Sequence, residues 1–320
     1  MTRREKGIWS FLAAALILLY LLSSTDFIIK EKKTDIYPIS VVLSETSDEY
    51  FASFKKGAEK AAEEYNVDVS FISLFEKGDA KKQIELVKRE INDGASAVVV
   101  IPVKPQECAR LLDETVLNSP VMVMGNMFSD ERTGGGVFID YEEEGEKLGH
   151  AIAKENSSSI PVAVLTEGLE YGYNKEVYAG LQLVLNKAGF SLTLLEKNED
   201  EIQGSIKEIA GKGKTILAAI DVGSLNGSAG FISDNPPYER NIKGIYGVGS
   251  TTRILRELDN GIIKGLVVIN QYDAGYSSVE KAVEAIHKKQ GQEQIVLESY
   301  YIKKESLRKG SFEKMLYPVD

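Results

Sequence analysis

The sequence predicts an α/β protein made of two doubly wound, parallel-sheet halves. Three observations carry this. Short apolar runs alternate with amphipathic stretches of helical period, joined by short connections. The apolar runs at 97–101 (AVVVI) and 121–124 (VMVM) are unbroken, as strands are when helices cover both faces of a sheet. The strand–helix series then begins again after residue 135, so the chain reads as a duplicated unit.

The first series opens with a strand at 39–43, a polar turn at 44–48 and a helix at 49–65. Phe51, Phe54, Ala58, Ala61 and Tyr65 recur at steps of 3, 4, 3 and 4, which makes one face of that helix apolar. Strands follow at 67–73, 97–101 and 121–125, with helices at 79–92 and 105–117 between them. A short strand at 136–139 and a helix at 142–154 lead into the second series. Its strands are read at 162–166, 191–195, 215–220, 242–248 and 263–269, and its helices at 174–188, 201–210, 225–232, 251–258 and 275–289. Right-handed crossovers place the turns that end these strands along one edge of each sheet, where open α/β sheets bind ligands. The turn 44–48 and the adjacent rings of Tyr50 and Phe51 offer hydroxyls, carboxylates and an aromatic face. That set suits a polyhydroxylated small molecule.

A chain of 320 residues has room for two domains. Its net charge of −10 comes from 38 basic and 48 acidic residues without long acidic blocks. That argues against nucleic acid as a partner, because phosphate binding needs a basic face. The single cysteine, Cys108, leaves no intrachain disulfide and no cysteine-based metal site. His150 and His287 fall on separate predicted helices, and no metal or cofactor is expected. The run 211–215 (GKGKT) fails as a phosphate loop because Glu208 stands where that motif needs glycine. The run 247–250 (GVGS) lacks the third glycine of a dinucleotide site, since position 252 is Thr. There is no Gly-x-Ser-x-Gly elbow. Glu142, Glu143 and Glu144 read as the acidic first turn of a helix, favourable to its dipole.

Residues 1–35 read as a separate segment. Arg3, Arg4 and Lys6 precede a stretch without charge at 7–25, rich in Leu, Ile and Ala. This is either a signal peptide or a membrane anchor. The anchor is preferred, since the stretch ends in Ser23-Ser24-Thr25, a poor cleavage site. No cysteine follows for lipid attachment. Both readings export the rest of the chain and leave 26–35 as a charged tether.

The pattern Ser44-x3-Asp48-x-Tyr50-Phe51-x2-Phe54-x2-Gly57-Ala58 resembles the opening of the ribose/galactose-type periplasmic binding proteins. The likeness extends from Ile39 to about Tyr301. It includes IPVKP at 101–105 and INQYDAGYSSVEKAVEAI at 269–286. It implies two lobes joined by three crossings, near Asp140, near 269–271 and near 299–301, with a ligand held in the cleft. Lobe 1 would be 36–139 plus 270–298, and lobe 2 would be 140–269 plus 299–320. Repressors that share this core carry a DNA-binding helix-turn-helix ahead of it, where this chain has its apolar segment.

By this resemblance Ser44, Asp48, Tyr50 and Phe51 match first-lobe contacts, with Tyr50 or Phe51 stacking on a sugar ring. Asn126 follows the fourth strand, where the family usually has Asp-Arg. Lys175 falls where an Arg is frequent, Asp221 near an Asn-Asp pair, and Ile269 or Asn270 where a Gln or Asn binds ligand. Gly249 replaces an expected Asp. Tyr171, Tyr173 and Asp273 are available substitutes. Replacing Tyr50 and Phe51 together by Ala is expected to abolish binding and leave the fold intact. The expected role is an extracytoplasmic, non-enzymatic solute-binding protein, monomeric in its soluble part. It presents a closed, sugar-bound form to an ABC permease, or to a histidine kinase or chemoreceptor. The alternatives are a ligand-free module docking on a sensor kinase, and an exported hydrolase or isomerase.

Overall fold

The structure is a computed structural model and describes residues 2–24, 36–44, 50–76, 78–115, 117–125, 136–287 and 294–317. The chain divides into two units, Met1–Ile36 and Tyr37–Asp320. The first unit contains helix α1 (Arg3–Ser24), on which Ile8, Trp9, Phe11 and Leu16 are all exposed. Arg3, Arg4, Glu5 and Lys6 occupy its first turn. Among the described residues no helix is long and apolar enough to cross a membrane. The expected tether, 26–35, lies outside the described residues.

In chain order the second unit begins β1 (Pro38–Val42), α2 (Ala52–Tyr65), β2 (Asp68–Ile72), α3 (Ala80–Asn92), β3 (Ala97–Val100), α4 (Pro105–Asp113), β4 (Val121–Met124) and β5 (Gly136–Ile139). It continues α5 (Tyr141–Glu155), β6 (Val162–Thr166), α6 (Asn174–Lys187), β7 (Leu192–Glu196), α7 (Glu199–Lys212), β8 (Thr215–Ala219) and α8 (Val222–Asp234). It closes with β9 (Ile242–Val248), α9 (Thr252–Asp259), β10 (Ile263–Ile269), α10 (Gln271–Ile286), β11 (Ile295–Leu297), β12 (Ser299–Ile302) and α11 (Gly310–Leu316).

These strands form two six-stranded sheets of matching order, β11-β5-β4-β3-β1-β2 and β12-β10-β9-β8-β6-β7. All pairings are parallel except β10 with β12. Each sheet has a buried apolar cluster on both faces. Val41 and Val99 turn to one side of the first sheet, Val42 and Val100 to the other. Ala163 and Leu165 are set against Val162 and Val164 in the second. The period of two along each strand produces this division. The predicted fold class is the observed one: two doubly wound lobes with three crossings between them.

The chain leaves the first lobe at Asp140, returns at Asn270 and leaves again at Glu298. Two of these crossings are also helix caps. Asp140 accepts the Glu143 N–H at 2.9 Å and Asn270 accepts the Asp273 N–H at 3.2 Å. Each satisfies an otherwise orphaned backbone donor. Helix α8 likewise starts at its cap, Asp221, and α10 at Asn270. Both begin three to four residues before the positions expected from apolar spacing, because the cap side chain sets the first turn.

Helix α5 packs on α6 in the second lobe as α2 packs on α10 in the first. Glycines permit both contacts. A Cβ on Gly57 would collide with the carbonyl of Tyr272, and one on Gly275 with that of Phe54. Gly145 and Gly180 face the Val177 and Glu142 carbonyls in the same reciprocal way. In the first lobe the fully buried Gln83 pins the strand ends at the point where the sheet order reverses. Its amide donates to the Leu43 carbonyl at 3.1 Å and the Ile101 carbonyl at 2.8 Å. Its oxygen accepts from the Val103 N–H at 2.9 Å and the Cys108 thiol at 3.3 Å. The loop after β3 is thereby fixed from behind.

Candidate binding cleft

A cavity of about 500 Å³ lies between the lobes. It is lined from segments at the carboxyl ends of strands and by the helices that follow them, as the switch-point rule requires. The first lobe contributes Ser44 after β1, Tyr50 and Phe51 before α2, Pro102 and Val103 after β3, and Gln271 on α10. The second contributes Tyr141 and Glu144 on α5, Glu167 after β6, Tyr171 to Asn174 around the start of α6, and Asp221 with Asn226 at α8. Backbone near Gly249 completes it.

The lobes touch beside this cavity. The Gly172 N–H donates to the Val103 carbonyl at 2.8 Å. Lys104 pairs with Glu170 at 3.3 Å and lies 4.9 Å from the centre of the Tyr171 ring. Tyr171 and Tyr173 of the second lobe pass over Gly78 and Gly125 of the first, where a Cβ would strike either ring. Both glycines have positive φ, 81° and 116°, so the turn and the close approach each favour glycine. The Tyr173 ring stacks on Tyr141 with centroids 4.2 Å apart and planes 11° off parallel. Burial holds both phenols well above their ordinary pKa, so they remain O–H groups.

The structure gathers Ser44, Tyr50, Phe51, Tyr171, Tyr173 and Asp221 around the cavity. Asp48 and Asn126 lie outside the described residues. Lys175 is exposed on α6, because the step from Tyr173 to Val177 keeps one helix face inward and turns position 175 out. Asn270 caps α10 and also donates to Asp273 at 2.6 Å; neither lines the cavity. Asp221 combines two roles. One carboxylate oxygen accepts the Ser224 N–H at 2.8 Å as the cap of α8, and the other accepts the Glu167 N–H at 2.9 Å. It thereby orders the loop that carries Glu167 into the cavity.

Phe51 requires a correction. It lines the cavity but is only 1% exposed and belongs to the first lobe's core, against Phe54. The double Ala substitution would therefore not leave the fold intact. Phe51→Ala alone is expected to cost about 3–5 kcal/mol. Tyr50→Ala, at a half-buried ring set edge-on to Phe51 at 4.6 Å, is expected to weaken ligand binding with little change in melting temperature. Thermal melts and calorimetric titration of the two single variants check this.

Several cavity residues escaped the sequence reading: Tyr141, Glu144, Glu167, Asn174, Asn226 and Gln271. Glu142 and Glu143 are exposed first-turn acids as expected, but Glu144 is only 2% exposed. Its signal was present, since Glu144, Leu148 and Ile152 form an i, i+4, i+8 stripe on the buried face of α5. A carboxyl on that stripe has to face core or cavity. Desolvation pushes it up to about 8 from an ordinary 4.5, with Asp140 and Glu143 adding to the rise and Lys147 opposing it. Gln271 was hidden because the helix was expected to start four residues later.

Two α/β lobes crossed three times by the chain, with a cavity between them, are a bilobal architecture with its cleft at the strand ends. Residues 39–290 match the periplasmic binding protein domain, and the chain belongs to that family. No curated protein sequence gives a significant match. Among solved structures, it is similar to GanP, a glucose-galactose binding protein from Geobacillus stearothermophilus. That match has 20% identity and a TM-score of 0.75, and covers 86% of this chain and 100% of the other. A carbohydrate-transporter solute-binding protein from Agrobacterium radiobacter in complex with D-arabinose has 16% identity and a TM-score of 0.76, with 88% and 99% covered. The XylFII-LytSN complex has 17% identity and a TM-score of 0.72, with 84% and 99% covered.

Proposed function

We propose that this chain is an extracytoplasmic solute receptor. It would hold a small, sugar-like polar molecule between its lobes and present the closed form to a membrane partner. The observation that carries this is the cavity, walled by tyrosines and polar groups from both lobes and large enough for a monosaccharide. A ligand touching both walls favours the closed arrangement by its differential affinity for that state. Relatives named for glucose-galactose, D-arabinose and tagatopyranose binding support a carbohydrate occupant. The partner is an ABC sugar permease or a sensor kinase. Transporter neighbours favour the first, and a neighbour in complex with a second protein, LytSN, favours a docking role of the second kind. The apolar helix α1 would direct export, and N-terminal sequencing of the mature protein separates a cleaved leader from a retained anchor.

Thermal melts of the purified chain against neutral sugars, polyols, furanones and amino sugars test the reading. A ligand at about 100 times its Kd adds about 2.7 kcal/mol to stability by mass action. A flat screen would instead make the chain a ligand-free docking module.

A further inference from the structure

We propose that the interlobe cavity takes a cationic solute: a sugar- or polyol-sized molecule whose protonated amine docks against the Glu144 carboxyl. The proposal rests on the cleft being a small-molecule site and adds the charge of the occupant.

Three of the described lining residues are acidic, Glu144, Glu167 and Asp221, and none is basic. Lys104 stays outside the lining, held by Glu170 and the Tyr171 ring. A sugar acid or sugar phosphate entering this space would meet acidic side chains and, among the described residues, no counter-charge. The hydrogen-bonding state of the walls points the same way. The Glu144 side chain is almost wholly buried in the cavity wall. The Oδ1 atom of Asn226 and the Oε1 atom of Gln271 are buried without a partner. The two amides offer acceptor oxygens, and Glu144 becomes a full acceptor once an adjacent cation displaces the proton that burial retains. They come from both lobes, Glu144 and Asn226 from the second and Gln271 from the first.

An occupant that satisfies them must bring donors. A hydroxyl brings one donor together with further lone pairs, whereas an ammonium brings three donors and no acceptor. The Tyr50, Tyr141 and Tyr173 rings add π-faces that attract a cation in a desolvated site. Asp221 already accepts two backbone N–H groups, and Glu144 is the most deeply buried of the three acids, where an opposite charge is worth most.

Calorimetric titration of the purified chain with matched solutes tests the charge. Glucosamine and galactosamine are compared with glucose and galactose, with glucose 6-phosphate as the anion. The amino sugars are expected to bind about tenfold or more tightly than their neutral parents, and the phosphate not at all. Glu144→Gln keeps the shape and is expected to erase that difference, while the unliganded variant melts no lower than the parent at neutral pH. Neutral sugars that bind as tightly as the amino sugars, or an E144Q variant that still prefers the amine, would overturn the inference and leave the cleft as a solute site. A flat response to every solute would overturn both.

Discussion

Replacing Glu144 by Gln is expected to stabilise the unliganded protein near pH 8 and to remove the pH dependence that this carboxyl causes between about 4.5 and 8. The folded carboxyl titrates near 8 because burial disfavours its charged form, while in the unfolded chain it titrates near 4.5. Between those values the native state holds a proton that the unfolded state has lost. Stability therefore falls as pH rises through this window and is flat on either side. One proton corresponds to about 1.4 kcal/mol per pH unit, so the cost at neutral pH is up to about 3 kcal/mol. Lys147, one turn along α5, opposes the shift, but its amine is engaged by Glu143 at 2.8 Å and the Ser299 carbonyl at 2.9 Å. Gln has nearly the same volume and no proton to lose. Denaturant titrations of both proteins at about pH 4, 6 and 8.5 should show the curves closest at the acid end and separating toward the alkaline end. Parallel curves would mean that Glu144 titrates alike folded and unfolded. A buried group that lowers stability is expected where a site is tuned for its ligand.

Gly57→Ala is expected to destabilise the first lobe by about 2–3 kcal/mol, against the direction of helix propensity. On an exposed helix the same change would gain roughly 1 kcal/mol. Here the new methyl falls on the Tyr272 carbonyl, a backbone atom inside α10 that cannot swing away, so the two helices must move apart. That movement breaks the reciprocal contact of Gly275 with the Phe54 carbonyl. Gly275→Ala should cost a similar amount alone and much less on top of Gly57→Ala, since the gap is already open. Denaturant melts of the two singles and the double measure this coupling. Additive losses would show that the contacts act independently.

The elements were legible because their causes are local. The runs 97–101 and 121–124 are too apolar for a strand with a wet face, and the restart of the pattern after 135 reveals the duplication. The starts of α8 and α10 were less visible, since Asp221 and Asn270 each cap a helix whose first turn carries few apolar residues. The cleft was legible only in part. Tyr50, Phe51, Tyr171 and Tyr173 drew notice as aromatics at strand ends, where tertiary geometry is constrained. Whether such a ring serves the core, as Phe51 also does, depends on helix rotation that no local pattern fixes. Glu144 and Gln271 were missed because their burial arises from opposing lobes that meet only in the finished molecule.

Helix α10 and strand β11 belong to the first lobe although they follow almost all of the second in sequence. During synthesis the N-terminal half thus lacks a helix that packs on α2 and a strand that lies beside β5 until nearly 300 residues have been made. The second lobe waits longer still for its edge strand β12, so neither sheet is complete until almost the whole chain has been made. Both lobes therefore depend on residues 295–302, and a chain stopped short of them would leave two open sheet edges.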